Sequence, residues 1–236
     1  DTYLQYDKEL DTSTATHDEE VDGTESSNNI SIIYEFNKKF INNFTLANTY
    51  IKRIYGATEN SGNALQDNYY GDRYAFTYTG NYNFNLDNSI IFGAEIEDDN
   101  IGYNKDLSGQ ENKHNHITSK FYDLQSRITN NIYFTFGSRF DEHSIAGNEE
   151  SHRATFAYLF DDKSLKIKSS YGTGFRFPSL YEMFFVYAAN ADSLQNVKAE
   201  NSKSFDLGFE KFIEKLNLNF EVVYFNLKYN DVLEGW

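Results

Sequence analysis

The sequence has no cysteine and one proline in 236 residues. The first absence excludes disulfides, thiolate nucleophiles and cysteine-ligated metals. The second argues against a soluble sandwich, whose corners draw on proline and glycine. No run of eighteen apolar residues exists, so a membrane-crossing helix is excluded. H-E-x-x-H, G-x-S-x-G and phosphate-loop patterns are absent, and no Ser/His/Asp set stands out, so the chain is not read as an enzyme. Basic residues are in the minority. The formal charge is −15 and the pI about 4.7, so nucleic acid, which needs a basic face, is not an expected partner. An acidic surface attracts divalent cations or basic ligands, or is simply solvated.

What is present is aromatic. Phe, Tyr and Trp make up 17% of residues, yet mean hydropathy is −0.66. A transmembrane β-strand resolves this tension, because only every second residue meets lipid. The alternation is visible. Tyr74, Phe76, Tyr78, Tyr82 and Phe84 interleave with Ala75, Thr77, Thr79, Asn81 and Asn83. Ile132, Phe134, Phe136 and Phe140 interleave with Thr135, Gly137, Arg139 and Asp141. Period two predicts strands with one apolar and one polar face. On this basis Phe76, Phe134, Phe136 and Phe156 face lipid, while Thr77, Arg139 and Lys168 face a lumen. Strands are expected near 3–10, 29–37, 41–52, 72–85, 89–98, 116–128, 132–142, 152–160, 165–173, 203–212 and 216–229. Short turns alternate with long polar loops at 11–28, 53–71, 99–115, 143–151 and 174–202. That alternation places all long loops on one rim, as in outer-membrane barrels.

Three segments carry a family resemblance: YGTGFRFPSLYEMFF from Tyr171, VKAENSKSFDLGFE from Val197, and LNLNFEVVYFNLKYNDVLEG from Leu216. Gly172, Gly174, Phe175, Arg176, Pro178, Ser179, Leu180 and Glu182 fit the pattern G-x-G-F-[KR]-x-P-[ST]-L-x-E. Val197, Lys198, Glu200, Ser202, Gly208 and Glu210 fit a second pattern, with Ala199 where a proline is usual and Asp206 where a glutamate is usual. The upstream ITNNIYFTFGSRFDEHS fits a strand–turn–strand ending in G-x-R-x-D. These segments resemble the late barrel of TonB-dependent outer-membrane receptors, vitamin B12 and siderophore receptors among them. The resemblance is carried by motifs over 117–233 and by architecture before that.

The resemblance implies an all-β, antiparallel up-and-down barrel in the bacterial outer membrane. Residues 1–236 are expected to form a partial barrel domain, about eleven strands of a roughly 22-stranded wall. The first and last strands are expected to remain unpaired with each other, and the plug domain to lie outside this sequence. The implied function is active uptake of a scarce nutrient such as cobalamin or a ferric siderophore, with TonB engaged through the plug. A passive porin-like barrel and a soluble β-rich binding domain are the alternatives. Pro178 ends ladder pairing, and Ser179 is placed to cap a short helical turn. That segment is either a rim-closing feature or a direct ligand contact. In the second case Arg176, Tyr181, Phe184, Phe185 and Tyr187 are the candidate ligand-binding residues. The run Asp18, Glu19, Glu20 and Asp22 offers hard oxygen ligands for calcium in an outer loop, or is a solvated loop. Glu97, Asp98 and Asp99 form a second acidic cluster. His114 and His116 share a strand face and read as a surface pair.

Overall fold

The computed structural model describes residues 2–7, 18–58, 64–104, 110–160, 164–186 and 198–232. These form a single sheet of eleven strands in sequence order, each paired antiparallel with its neighbours. The strands are β1 (Thr2–Asp7), β2 (Asp18–Asn37), β3 (Phe40–Thr58), β4 (Ala64–Asn83), β5 (Asn88–Asn104) and β6 (Gln110–Arg127). They continue as β7 (Ile132–His143), β8 (Gly147–Leu159), β9 (Leu165–Arg176), β10 (Glu200–Ile213) and β11 (Leu218–Asn230). The sheet order begins at β1 and ends at β11 without closing. The expected meander is therefore observed.

The short turns are held by side chains rather than by proline. Asn37 Oδ1 accepts from the amides of Lys39 and Phe40 at 2.8 and 3.1 Å. Asn85 Oδ1 accepts from the Asp87 amide, and Thr129 Oγ1 from the Asn131 amide. Such local bonds substitute for the backbone turn and explain how one proline suffices. Asn217 takes the left-handed conformation at φ 46° that closes the turn between β10 and β11.

Four of the loops expected from sequence are much shorter than their predicted ranges. β2 begins at Asp18, inside the expected loop 11–28. β3 and β4 extend into 53–71, β5 and β6 into 99–115, and β8 into 143–151. The physical reason is that alternation in hydrophobicity marks contact with lipid, not β-structure. Beyond the apolar band both faces meet water, and a strand such as DEEVDGTESSN keeps its ladder without an apolar face. A 20-residue strand is roughly 65 Å long at about 3.3 Å per residue. About 30 Å of hydrocarbon uses only half of it, so the remainder projects from the long-loop rim.

Register fixes the two faces. Phe134 pairs with Phe156, and Phe136 with Leu124 and Ala154. Phe76 pairs with Leu46 and Ile96 on the same side. The opposite side is polar and cross-linked between strands. Arg139 Nη2 donates to Glu95 Oε1 at 2.7 Å and to Ser119 Oγ at 2.7 Å, while its Nε reaches Asp141 at 2.9 Å. Thr77 donates to the other Glu95 oxygen at 2.9 Å. Lys166 and Lys168 meet Glu210 and Glu221. Gly93 lies in this wall because the Phe121 ring covers it. A Cβ there would fall 2.5 Å from Phe121 Cζ and 2.2 Å from the Tyr78 carbonyl.

Among the described residues, the buried apolar side chains are Leu180, Met183 and Ala199, with Pro178 beside them. The Phe, Ile, Leu and Tyr of the other face are largely exposed, Ile30, Ile32 and Phe36 among them. A continuous apolar surface with so little core is unstable in water and suited to lipid.

The face assignment has a direct test. Placed near the midplane in a full-length, lipid-reconstituted protein, Phe136→Arg is expected to cost roughly 2–4 kcal/mol, and Thr135→Arg far less. Chemical unfolding from vesicles measures both, and equal losses would reverse the assignment.

Candidate ligand site at the outer rim

β9 ends where the sequence changes character. Pro178 removes an amide from the ladder. Ser179 and Glu182 then cap each other: the Ser179 amide donates to Glu182 Oε2 at 2.7 Å, and the Glu182 amide donates to Ser179 Oγ at 3.2 Å. This S-x-x-E reciprocity satisfies two amides at the start of a helical turn. The turn continues as a π-helix over Glu182–Val186. Leu180 and Met183 anchor it inward, Met183 being completely buried. Gly172 and Gly174 precede it on the inner face. A Cβ on Gly174 would lie 3.0 Å from Ser202 Oγ, so the missing side chain allows β9 and β10 to carry their hydroxyls inward.

Arg176 clamps this segment. Its Nη1 and Nη2 donate to both oxygens of Glu182 at 2.9 and 3.0 Å, and its Nε and Nη2 donate to both oxygens of Glu200 at 2.8 and 3.1 Å. Bidentate pairs of this kind are geometrically specific. One guanidinium thus ties the chain leaving β9 to the chain entering β10. Tyr181 is exposed, with its ring 6.3 Å from that of Tyr69. Phe184 lies under Lys113 Nζ at 4.9 Å from its centroid. Phe185 belongs to the π-helix, and Tyr187 lies outside the described residues.

The rim turn and the inner faces of β3 to β7 enclose a cavity of about 1500 Å³. One wall is tyrosine. The rings of Tyr55 and Tyr69 meet edge-on at 5.5 Å, and Tyr69 stacks on Tyr103 at 4.6 Å. A second wall is charged. Arg73 donates to both oxygens of Asp99 at 2.5 and 2.9 Å and lies 3.2 Å from Glu97. Asn115 and His143 sit beside this pair, with Phe177 against the His143 ring at 4.7 Å between centroids. These residues lay in segments read as polar loops, apart from Arg73 and Glu97, which fell in expected strands. Tyr55, Tyr69 and Tyr103 lie on three neighbouring strands and come together only once the strand register is known.

The two acidic clusters separate by strand parity. Glu97 and Asp99 turn inward to Arg73. Asp98 turns outward, where His116 Nδ1 lies at 2.9 Å and His114 Nε2 at 3.4 Å from the same carboxylate oxygen. The histidine pair therefore has a carboxylate partner that spacing alone did not reveal. Asp18, Glu19, Glu20 and Asp22 begin β2 rather than lying in a loop. The side chains of Asp18, Glu19 and Glu20 lie outside what the structure describes. Among the described residues, no group of three or more His, Asp or Glu side chains converges on a point suited to a metal ion.

The Arg176 guanidinium holds the Glu182 carboxyl below the usual carboxylate range, and the Ser179 amide adds to the effect. A depressed carboxyl stabilises the fold fully above its unfolded pKa of about 4.3, and the contribution is lost as pH falls through the lower folded value. The hydrogen-exchange protection factors of residues 177–186, which correct for the intrinsic pH dependence of amide exchange, are therefore expected to stay constant from neutral pH to about 5 and to fall only below the ordinary carboxylate range. Arg176→Leu is expected to accelerate exchange at every pH. A loss of protection already between neutrality and mildly acidic pH would remove this pair as the anchor.

The fold has relatives among solved structures. The copper transporter OprC superposes with a TM-score of 0.68 at 11% identity, over 83% of this chain and 39% of that one. The ferric-catecholate import receptor Fiu from E. coli K12 gives 0.69 at 10% identity, over 89% and 41%. The siderophore receptor PirA from Pseudomonas aeruginosa gives 0.55 at 14% identity, over 96% and 51%. The chain thus spans about two fifths to one half of the length of these proteins, all receptors or transporters rather than enzymes. No curated protein matches it in sequence. The family model for the TonB dependent receptor-like β-barrel matches residues 1–234. Members of that family lie in the bacterial outer membrane, and on this match across nearly its whole length the chain belongs to the TonB-dependent receptor β-barrel family.

Proposed function

We propose that this chain supplies part of the barrel wall and the outer ligand chamber of a receptor for active nutrient uptake. The observation that carries the reading is the cavity of about 1500 Å³ on the inner face at the long-loop rim, walled by tyrosines and closed on one side by the rim turn. Its volume exceeds that of ordinary small-molecule pockets, about 300–1,000 Å³, and accords with a bulky ligand such as cobalamin or a ferric siderophore. Aromatic walls supply rigid stacking area at low entropic cost. The position matters as much as the content. The chamber lies above the apolar band, where ligand arrives from outside, and the polar lumen beneath it leads inward. Release through that lumen requires an energised step, and in this reading TonB supplies it through a plug domain.

The test uses the full-length receptor in cells. Radiolabelled cyanocobalamin and a panel of ferric siderophores are supplied, and accumulation is compared with and without TonB. Accumulation that requires TonB supports the reading. TonB-independent accumulation, or a steady open conductance of the purified protein in planar bilayers, refutes it. With the accumulated ligand, Tyr69→Ala and Tyr181→Ala are each expected to raise Kd by roughly 3- to 10-fold through lost stacking.

A further inference from the structure

The turn between β7 and β8 closes on a histidine. His143 ends β7, beyond Phe140 and Glu142, and so stands above the apolar band. It is 3% exposed and lines the cavity. Its Nδ1 accepts hydrogen bonds from the amides of Ile145 and Ala146, both at 3.0 Å. A nitrogen accepting two amide protons carries none itself, so the ring's proton is on Nε2. The Asn115 side-chain amide lies 3.0 Å from that Nε2. Its oxygen must then be the atom that faces the ring and accepts. The Phe177 ring packs against the imidazole at 4.7 Å between centroids. Separate bonds tie the turn to β6: the Ser144 amide donates to the His116 carbonyl at 2.9 Å, and the His116 amide donates to Ser144 Oγ at 3.0 Å.

This arrangement admits only the neutral ring. A charged imidazole donates from both nitrogens. Its Nε2–H would still reach the Asn115 oxygen, but a proton on Nδ1 would face two amide N–H groups, and both of those bonds would be lost. The ring is buried between β6 and Phe177, whereas Ser144 and Gly147 of the turn are exposed. It is therefore the turn that can move, giving its amides to water. The charged groups around the ring come from several elements. On β7, Asp141 shares its face and is held by Arg139. On β8, Glu149 lies opposite Asp141. On β5, Glu97 and Asp99 are both engaged by Arg73 of β4. At the rim turn, Arg176 is paired with Glu182. On β6, the inward neighbours Asn115 and Ile117 carry no charge. Burial pushes the His143 imidazole below its ordinary value, and the Asp99 carboxylate pulls it back in part. A base depressed in this way stabilises the closed turn fully above its free pKa of about 6.5. The contribution is lost as pH falls from there toward the lower value of the closed state.

We propose that His143 is an acid-released latch on the chamber wall: neutral, it closes the β7–β8 turn, and protonated, it lets that turn open while the rim turn stays clamped. The rim turn is independent because Arg176, Glu182 and Glu200 hold it, and these groups keep their charge through the range in which an imidazole changes its own. The latch acts on the wall itself, whatever the cavity holds. The outer edge between β6 and β8 is thus rigid near neutrality and loosened in acid.

Amide protection factors, measured by hydrogen exchange on the full-length receptor in detergent from about pH 7.5 to about pH 5, test the latch. In the wild type, protection at Ile145 and Ala146 is expected to fall by at least about threefold across that range, with residues 177–186 unchanged. His143→Asn keeps an acceptor oxygen near the position of Nδ1 without a group that titrates there, so protection at the same two amides is expected to stay level with pH. His143→Leu removes the acceptor, and protection there is expected to be low at every pH. A level profile in the wild type, an acid loss that persists in His143→Asn, wild-type protection in His143→Leu near neutrality, or an equal loss across residues 177–186 overturns the proposal. Should His143→Leu fail to fold, the wild-type and His143→Asn profiles decide alone.

Discussion

Hydrocarbon contains no water to satisfy a peptide group, so every N–H and C=O of a chain crossing it needs a partner in the protein. This constraint organises the molecule. It forces consecutive strands into an unbroken antiparallel ladder from β1 to β11. The ladder in turn fixes the pleat, and the pleat sends alternate side chains to opposite sides. One side must then be apolar. The other is free to carry charge, provided neighbours satisfy it, and the bonds of Arg139 to Glu95, Ser119 and Asp141 show how closely that is done. Stability in such a wall comes from the ladder and from lipid, since only a few apolar side chains near the rim turn are buried in protein.

The same constraint explains what could be read from the sequence. Within the membrane, lipid imposes a period of two on hydrophobicity, so Phe76, Phe134, Phe136 and Phe156 announce both the strands and their faces. Above the membrane the imposition ends, though the ladder does not. Residues 18–28 and 64–71 are as regularly paired as those below them, but nothing in their polarity says so. The predicted strands therefore stop near the membrane surface, and most predicted loops are too long. The rim turn was legible for a different reason: Pro178 and the capping residue Ser179 act locally, independently of register. Even there, Glu182 as the reciprocal cap and as a partner of Arg176 emerges only from the geometry.

Candidate residues fared according to what surrounds them. Arg176 drew attention as a conspicuous cation beside an aromatic loop. Four hydrogen bonds to Glu182 and Glu200 now engage it. A guanidinium so engaged positions the turn, and with it Tyr181 and Phe177 at the cavity edge. Tyr181 extends the Tyr69 and Tyr103 cluster across that edge. Tyr69, Arg73, Asn115 and His143 had no local motif to mark them. They come from three different strands, and only pairing brings them together.

The chamber sits where two requirements part. Below, the wall must satisfy lipid outside and a polar lumen inside, which leaves each position one permitted polarity. Above, water bathes the outer face, and the inner face is released from packing against neighbouring layers. Strand extension well beyond the bilayer therefore creates rigid, pleated wall whose inward side chains are unconstrained by the membrane. Tyr55, Tyr69, Arg73, Asp99 and Asn115 all occupy such positions. A loop could present the same residues, but would have to order them on binding at an entropic cost. A strand presents them already ordered, at fixed spacing and on one face. His143 shows how far this preorganisation goes: two backbone amides fix its tautomer, and the tautomer fixes the Asn115 amide packed beside it.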